Sequence, residues 1–192
     1  MIWTNRSFLF ISICSGLYGQ ELSVKDSYDA LFHSSDIVHA TLHLNNIIRQ
    51  GAIGLTDFEK SRLSEIGLYV RGDQIIALKR TNLDQTYDTD HFRFYYTLDA
   101  SSTDAVENED YVIAMGDVFD EVWIFHLDSM GFDPPPPNPN NEHDLYEIYI
   151  EYLSPQYFAL TYGEGSGSSC YGFIKMRNSY TASQFINHTE LE

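Results

Sequence analysis

Three histidines, His33, His39 and His43, are the first residues whose type and spacing could do chemistry. His39 and His43 are four apart and share a face in a helix or a strand, so two imidazoles could reach one zinc ion there. A catalytic zinc needs a third ligand and a nearby acid or base; Ala40 stands where a His-Glu-x-x-His motif would carry its glutamate. Asp84, Asp88 and Asp90 in LDQTYDTDHF offer the hard oxygen ligands that calcium takes, in a spacing that is not that of an EF-hand loop. Asp104, Glu107, Glu109 and Asp110 form a second acidic loop with the same potential. Asp117, Asp120 and Glu121 are carboxylates of the kind glycoside chemistry uses in pairs, but in a strand Asp120 and Glu121 point to opposite faces. GEGSGSS lacks the lysine of a phosphate-binding loop, and no Gly-x-Ser-x-Gly nucleophile turn is present. Cys170 reads as a small hydrophobe on a strand, and Arg71-Gly72-Asp73 reads as a hairpin tip. No catalytic constellation emerges, and the expectation is a non-catalytic protein, with calcium as a candidate cofactor beside the zinc that His39 and His43 could reach.

These residues must be positioned by elements that the hydrophobic pattern predicts. Within 21–36, Tyr28, Leu31, Phe32 and Ser35 share a helical face. Residues 37–44, IVHATLHL, alternate as a strand, with a continuous helix over 25–48 as the alternative. TDFEKSRLSEIG is the clearest local signal: Thr56 and Glu59 form a capping box, and Gly67 suits the stop of a helix over 57–66. Strands are then predicted on both sides of Arg71-Gly72-Asp73, at 91–100, as a pair within 111–128 broken near Gly116-Asp117, and at 145–153, 157–162 and 170–177. In 145–153 Tyr146, Ile148, Ile150 and Tyr152 alternate with Glu147 and Glu151. GFDPPPPNPNNEHD, residues 131–144, cannot continue a central strand, because proline has no N–H and a fixed φ; it reads as a stiff, solvated bridge that asparagines help to turn.

Composition bounds the rest. The 192 residues suit one domain, and 43% hydrophobic with 15% aromatic residues can fill a core. The formal charge of −17, from 28 acidic against 11 basic residues, repels phosphate backbones and anionic lipid surfaces, which argues against nucleic-acid partners. Residues 1–20 read as a secretory signal, with Arg6 before the short apolar run SFLFISIC and small residues at Ser15, Gly16 and Gly19. That run is too short to span a bilayer, so no integral membrane segment is expected in the mature chain. Lipid attachment at Cys14 would want a small residue before it, where Ile13 stands. The expected location is outside the cytoplasm, secreted or in the cell envelope.

The segment 146–178 resembles the last strands of small secreted lipocalin-like proteins of bacteria, through Ile148 to Leu153, Tyr157 to Tyr162, and Tyr171 to Arg177. The resemblance implies an up-and-down β-barrel that holds a small apolar ligand. The expected fold is therefore mainly β, with a short helical portion near the start. A lipocalin-like antiparallel barrel comes first and a β-sandwich second, in one domain over 21–192. The expected function is ligand binding; the alternative is a cell-surface interaction protein with acidic, calcium-binding loops.

Overall fold

A computed structural model describes residues 22–33, 40–79, 82–154, 157–164 and 171–179. The expected signal segment, Cys14, His39 and Cys170 lie outside them. The described residues begin with α1 (Val24–His33), α2 (Ala40–Gln50), α3 (Asp57–Arg62) continued by a 3-10 turn (Leu63–Ile66), and the hairpin β1 (Leu68–Arg71) and β2 (Gln74–Ala77). It goes on with β3 (Gln85–Asp88), β4 (Phe92–Tyr96), α4 (Glu109–Ile124), β5 (Tyr146–Glu151), β6 (Ala159–Glu164) and β7 (Tyr171–Arg177). Strands β3 to β7 form one sheet in the order β3-β4-β5-β7-β6. The central strands β4, β5 and β7 are parallel, and the edge strands β3 and β6 are antiparallel to their neighbours.

The fold is thus a β-rich α/β arrangement, and the sheet is open rather than closed into the expected barrel. An up-and-down meander would put β5 beside β6, whereas β7 lies between them. A parallel step from β4 to β5 needs a long crossover, and α4 supplies it. The predicted strand pair in 111–128 is this helix. Asn108 caps it, its side chain accepting from the Tyr111 N–H, and Glu109 and Asp110 favour the positive end of the helix dipole. The misreading has a physical cause. The helix is apolar on much of its circumference, so its residues satisfy a two-residue period nearly as well as a helical one. Gly116 is not a turn either: a Cβ there would lie 2.8 Å from both Thr89 Cγ2 and Tyr87 Cε1, so glycine lets α4 approach the sheet closely.

The strand predicted at 37–44 is also helical from Ala40, as α2, while 37–39 lie outside the described residues. Other expectations hold. Thr56 and Glu59 form both bonds of the capping box, and Gly67, at φ 70°, ends the segment. In Arg71-Gly72-Asp73, Arg71 ends β1 opposite Gln74 and Gly72-Asp73 turns the chain into β2, with Gly72 at φ 64°. The proline-rich bridge joins α4 to β5; the Asn138 side chain accepts from the Asn140 N–H at 3.0 Å, and Asn140 Nδ2 donates to Tyr171 OH at 3.1 Å.

The sheet has two apolar faces. Phe92, Phe94, Tyr96, Ile148, Ile150, Ile174 and Met176 pack with Val112 and Met115 of α4. Tyr149, Leu160, Tyr162 and Phe173 pack on the other side with Tyr28 and Leu31 of α1, Leu44 and Ile47 of α2, and Leu63, Leu68 and Ile75. Both faces of β5 and β7 are therefore covered, which is what parallel strands require. Where β6 and β7 are opposed, Gly163 meets Gly172. A Cβ on Gly172 would sit 2.4 Å from the Tyr162 carbonyl oxygen, which is backbone and cannot swing away. Gly172→Ala should therefore destabilise the domain by about 1–3 kcal/mol in urea unfolding, as overpacking does.

Candidate functional site

The residues singled out for metal binding are dispersed. His33 is exposed at the end of α1, 4.0 Å from Asp29, and His43 of α2 lies 3.5 Å from Ser27 Oγ. Asp84 precedes β3 and accepts from Gln85 Nε2 at 3.1 Å. Asp88, at the other end of β3, takes a two-pronged bond from Arg93 at 2.7 and 2.6 Å. They are four positions apart along extended chain, roughly 13 Å. Asp90 is in the turn between β3 and β4, where its N–H points to Asp120. In the second acidic loop, Asp104 is buried and accepts from the Tyr152 N–H (3.0 Å) and Asn82 Nδ2 (3.1 Å), while Glu109 accepts from Tyr96 OH (3.1 Å). Asp120 faces His91 Nδ1 at 2.9 Å and accepts from Thr89 at 3.0 Å, so it braces that turn. Among the described residues no three His, Cys, Asp or Glu side chains are grouped to hold a metal ion.

Two other features do concentrate chemistry. The first is a polar cluster on the α1–α2 side of the sheet. In β5 alternation sends Glu147, Tyr149 and Glu151 to this face, beside Phe173, Lys175 and Arg177 of β7. Glu147 is only 4% exposed, yet it is matched: Lys79 Nζ donates to its Oε2 at 2.5 Å and Tyr149 OH donates to its Oε1 at 2.8 Å. Burial works to raise the Glu147 carboxyl, but these bonds outweigh it and the group sits below its ordinary range. Glu164 at the end of β6 is 3.9 Å from the same Lys79, and burial pushes its carboxyl up, with Lys79 opposing. Lys79 also lies over the rings of Phe173 (5.1 Å) and Tyr149 (5.8 Å), and Tyr95 stacks on Tyr149 at 4.7 Å. Two residues further along β5 and β7, on the same face, Lys175 Nζ meets Glu151 at 3.0 Å and donates to the Leu78 carbonyl at 2.9 Å.

The second feature is the outer side of α4. Val112, Gly116, Phe119 and Trp123 face the sheet; Ala114 and Val118 lie on the opposite side, in line with Phe125, which opens the π-helical turn Phe125–Ser129 after α4, and all three are exposed. Val118 is 57% and Phe125 55% exposed. The strip continues through His126, whose ring lies 5.8 Å from Phe125 and stacks on Phe132 at 6.1 Å, and Phe132 is itself half exposed. Asp110, Asp117, Glu121 and Asp128 run along one side of it and are all exposed. Between Arg93 and Lys175 the sequence has no lysine or arginine, so the border carries no positive side chain of α4 or its flanking loops.

Both features escaped the sequence reading. The alternating glutamates of YEIYIEYL were visible, but their partner Lys79 is 68 residues away from Glu147. A lysine and arginine on the matching face of YGFIKMR were the available signal. The outer strip of α4 was hidden because its segment was assigned to strands.

The carboxylates also make a pH prediction. Glu59 is held down to about 2 from an ordinary 4.5, first by its bond from Lys25 (2.9 Å) and then by those from Thr56. The folded chain thus binds this proton more weakly than the unfolded one, so stability rises with pH through this window and is lost as pH falls from about 4.5 towards 2. Urea midpoints measured across that range should fall more steeply for the native chain than for Glu59→Gln.

Compared with known proteins, the chain matches no family model, no curated protein and no solved structure.

Proposed function

We propose that this is a non-catalytic docking domain, and that the outer face of α4 seats an apolar-faced helix of a protein partner with lysines or arginines along one flank. The observation that carries the reading is the double-sided apolar character of α4. One stripe already packs on the sheet, and a second, with Val118 and Phe125 more than half exposed, has nothing over it among the described residues. Contiguous exposed apolar strips with a polar border mark interaction sites. The border sets the partner's chemistry. An acidic rim favours a basic partner, and it opposes a second copy of a chain with a net charge of −17. Docking an amphipathic helix along such a strip is a common recognition mode. The signal expected at 1–20 would place this encounter outside the cytoplasm. No helix of the described residues is long and apolar enough to cross a membrane. The small apolar ligand expected of a barrel has less support, because the sheet is open and its faces are filled by aromatic and aliphatic side chains.

The test uses a synthetic helical peptide with leucines on one face and lysine flanks. Calorimetry should show saturable binding that is lost in Val118→Asp and in Phe125→Asp. Thermal unfolding of both variants should stay within about 0.5 kcal/mol of the native chain, as for surface substitutions. Equal binding by a glutamate-flanked peptide, or undiminished binding by the variants, would overturn the proposal.

A further inference from the structure

The surroundings of Lys79 have the form of a receptor for an ammonium group. Its Nζ is held by Glu147 at 2.5 Å, with Glu164 at 3.9 Å, and the rings of Phe173 and Tyr149 make two walls at 5.1 and 5.8 Å. Carboxylates and ring faces are the two groups that attract alkylammonium ions. The parts are rigidly placed. Glu147, Tyr149 and Phe173 project from the central strands β5 and β7, Tyr149 OH fixes the orientation of the Glu147 carboxylate at 2.8 Å, and Tyr95 stacks behind Tyr149. The occupant is the less fixed member: Lys79 follows β2 outside its ladder, with 27% of its side chain exposed against 5% for Glu147.

The charges do not balance with Lys79 alone. Two carboxylates face one cation, and the second, Glu164, lies beyond hydrogen-bond reach of it. A buried Glu147 cannot release Lys79 to water without a replacement cation, because an uncompensated buried carboxylate is costly. The wide excess of acidic residues raises the local concentration of cations that could serve.

We propose that Glu147, Glu164, Tyr149 and Phe173 form a binding site for a primary alkylammonium group, and that Lys79 fills it in cis until such a group displaces it. The site lies on the opposite side of the sheet from the outer strip of α4, and the inference stands independently of the docking proposal.

The test removes the occupant. In Lys79→Ala, n-butylammonium chloride should raise the melting temperature in a saturable manner, and sodium chloride or tetramethylammonium chloride at the same ionic strength should not. Adding Glu147→Gln to Lys79→Ala should abolish the response, and adding Glu164→Gln should weaken it several-fold in apparent affinity. If Lys79→Ala folds only when n-butylammonium is present, that also supports the site. Lys79→Met keeps the aliphatic stem and guards against loss of fold; it should respond less than Lys79→Ala, since its side chain still fills the cage. In the native chain, titration with spermidine and with Nα-acetyl-lysine amide should perturb the Lys79 ammonium resonance. A stronger response to spermidine assigns free polyamines as the source, and a stronger response to the lysine derivative assigns a partner's lysine. A folded Lys79→Ala that gains no more from n-butylammonium than from sodium chloride would overturn the proposal and leave Lys79 a tether between hairpin and sheet.

Discussion

Lys175→Ala should destabilise the domain by about 3–5 kcal/mol, a large share of the roughly 5–15 kcal/mol that holds a typical domain folded. Lys175 is 1% exposed and lies on β7, next to the centre of the sheet. Its ammonium bonds Glu151, itself 2% exposed, and the Leu78 carbonyl, so one side chain ties β5, β7 and the end of the hairpin together. It also lies 5.1 Å from the Tyr162 ring centroid. Gly67 leaves the space it needs, since a Cβ there would come within 2.5 Å of Nζ. Truncation takes the ammonium away from a carboxylate that stays buried, and this accounts for most of the expected loss. The control is the double variant Lys175→Met with Glu151→Leu, in which neither member of the pair keeps its charge; it should recover part of the stability, because apolar replacements of buried pairs are often close to neutral, while Arg177 stays buried opposite position 151. Urea unfolding of the single and double variants measures both values. A single-variant cost below about 1 kcal/mol would be that of an exposed pair and would contradict the burial of this one.

Phe92→Ala should cost about 3–5 kcal/mol, as deletions of buried aromatic rings do. Phe92 is 1% exposed, and its ring meets Phe119 at 5.2 Å, Trp123 at 5.3 Å and Tyr146 at 6.2 Å, each edge to face. It is the point where α4 is pinned to β4 and β5. Trp123 also stacks on His91 at 5.2 Å, so it reports on the same junction. The variant should therefore show both a lowered urea midpoint and a red-shifted Trp123 emission in the native state. A strand pair over 111–128 would predict neither the pairing of Phe92 with Phe119 and Trp123 nor the spectral change.

That contrast shows what was legible in the sequence. Elements with local chemistry could be read directly. The Thr56–Glu59 capping box, the Gly67 stop and the Arg71-Gly72-Asp73 tip depend on residues within a few positions of one another. The strands β4, β5, β6 and β7 were found because aromatic and β-branched residues cluster there. The order of those strands was not legible, because a sheet partner is chosen by contacts across the whole chain. The insertion of β7 between β5 and β6 leaves no mark on the hairpin-like spacing of 146–178. The helix α4 was misread because a helix that presents apolar residues to two surroundings loses the one-sided pattern that identifies it. Ala114, Val118 and Phe125 blur the stripe made by Val112, Gly116, Phe119 and Trp123. The feature that hid the helix is thus the same one that now marks a face with nothing over it among the described residues. The buried cluster was invisible for another reason: Glu147 and Glu151 read as polar strand residues until Lys79 and Lys175 are brought to them.

The docking proposal rests on that face, and backbone amide mapping tests it most directly. The ¹⁵N-labelled chain is titrated with the lysine-flanked amphipathic peptide, and the shifted amides are assigned. The expected shifts cluster on Ala114, Val118, Phe125 and Phe132, with the α1–α2 layer and the hairpin unmoved. Shifts confined to the α1–α2 layer, or an unchanged spectrum at saturating peptide, would contradict the assignment of α4 as the docking surface.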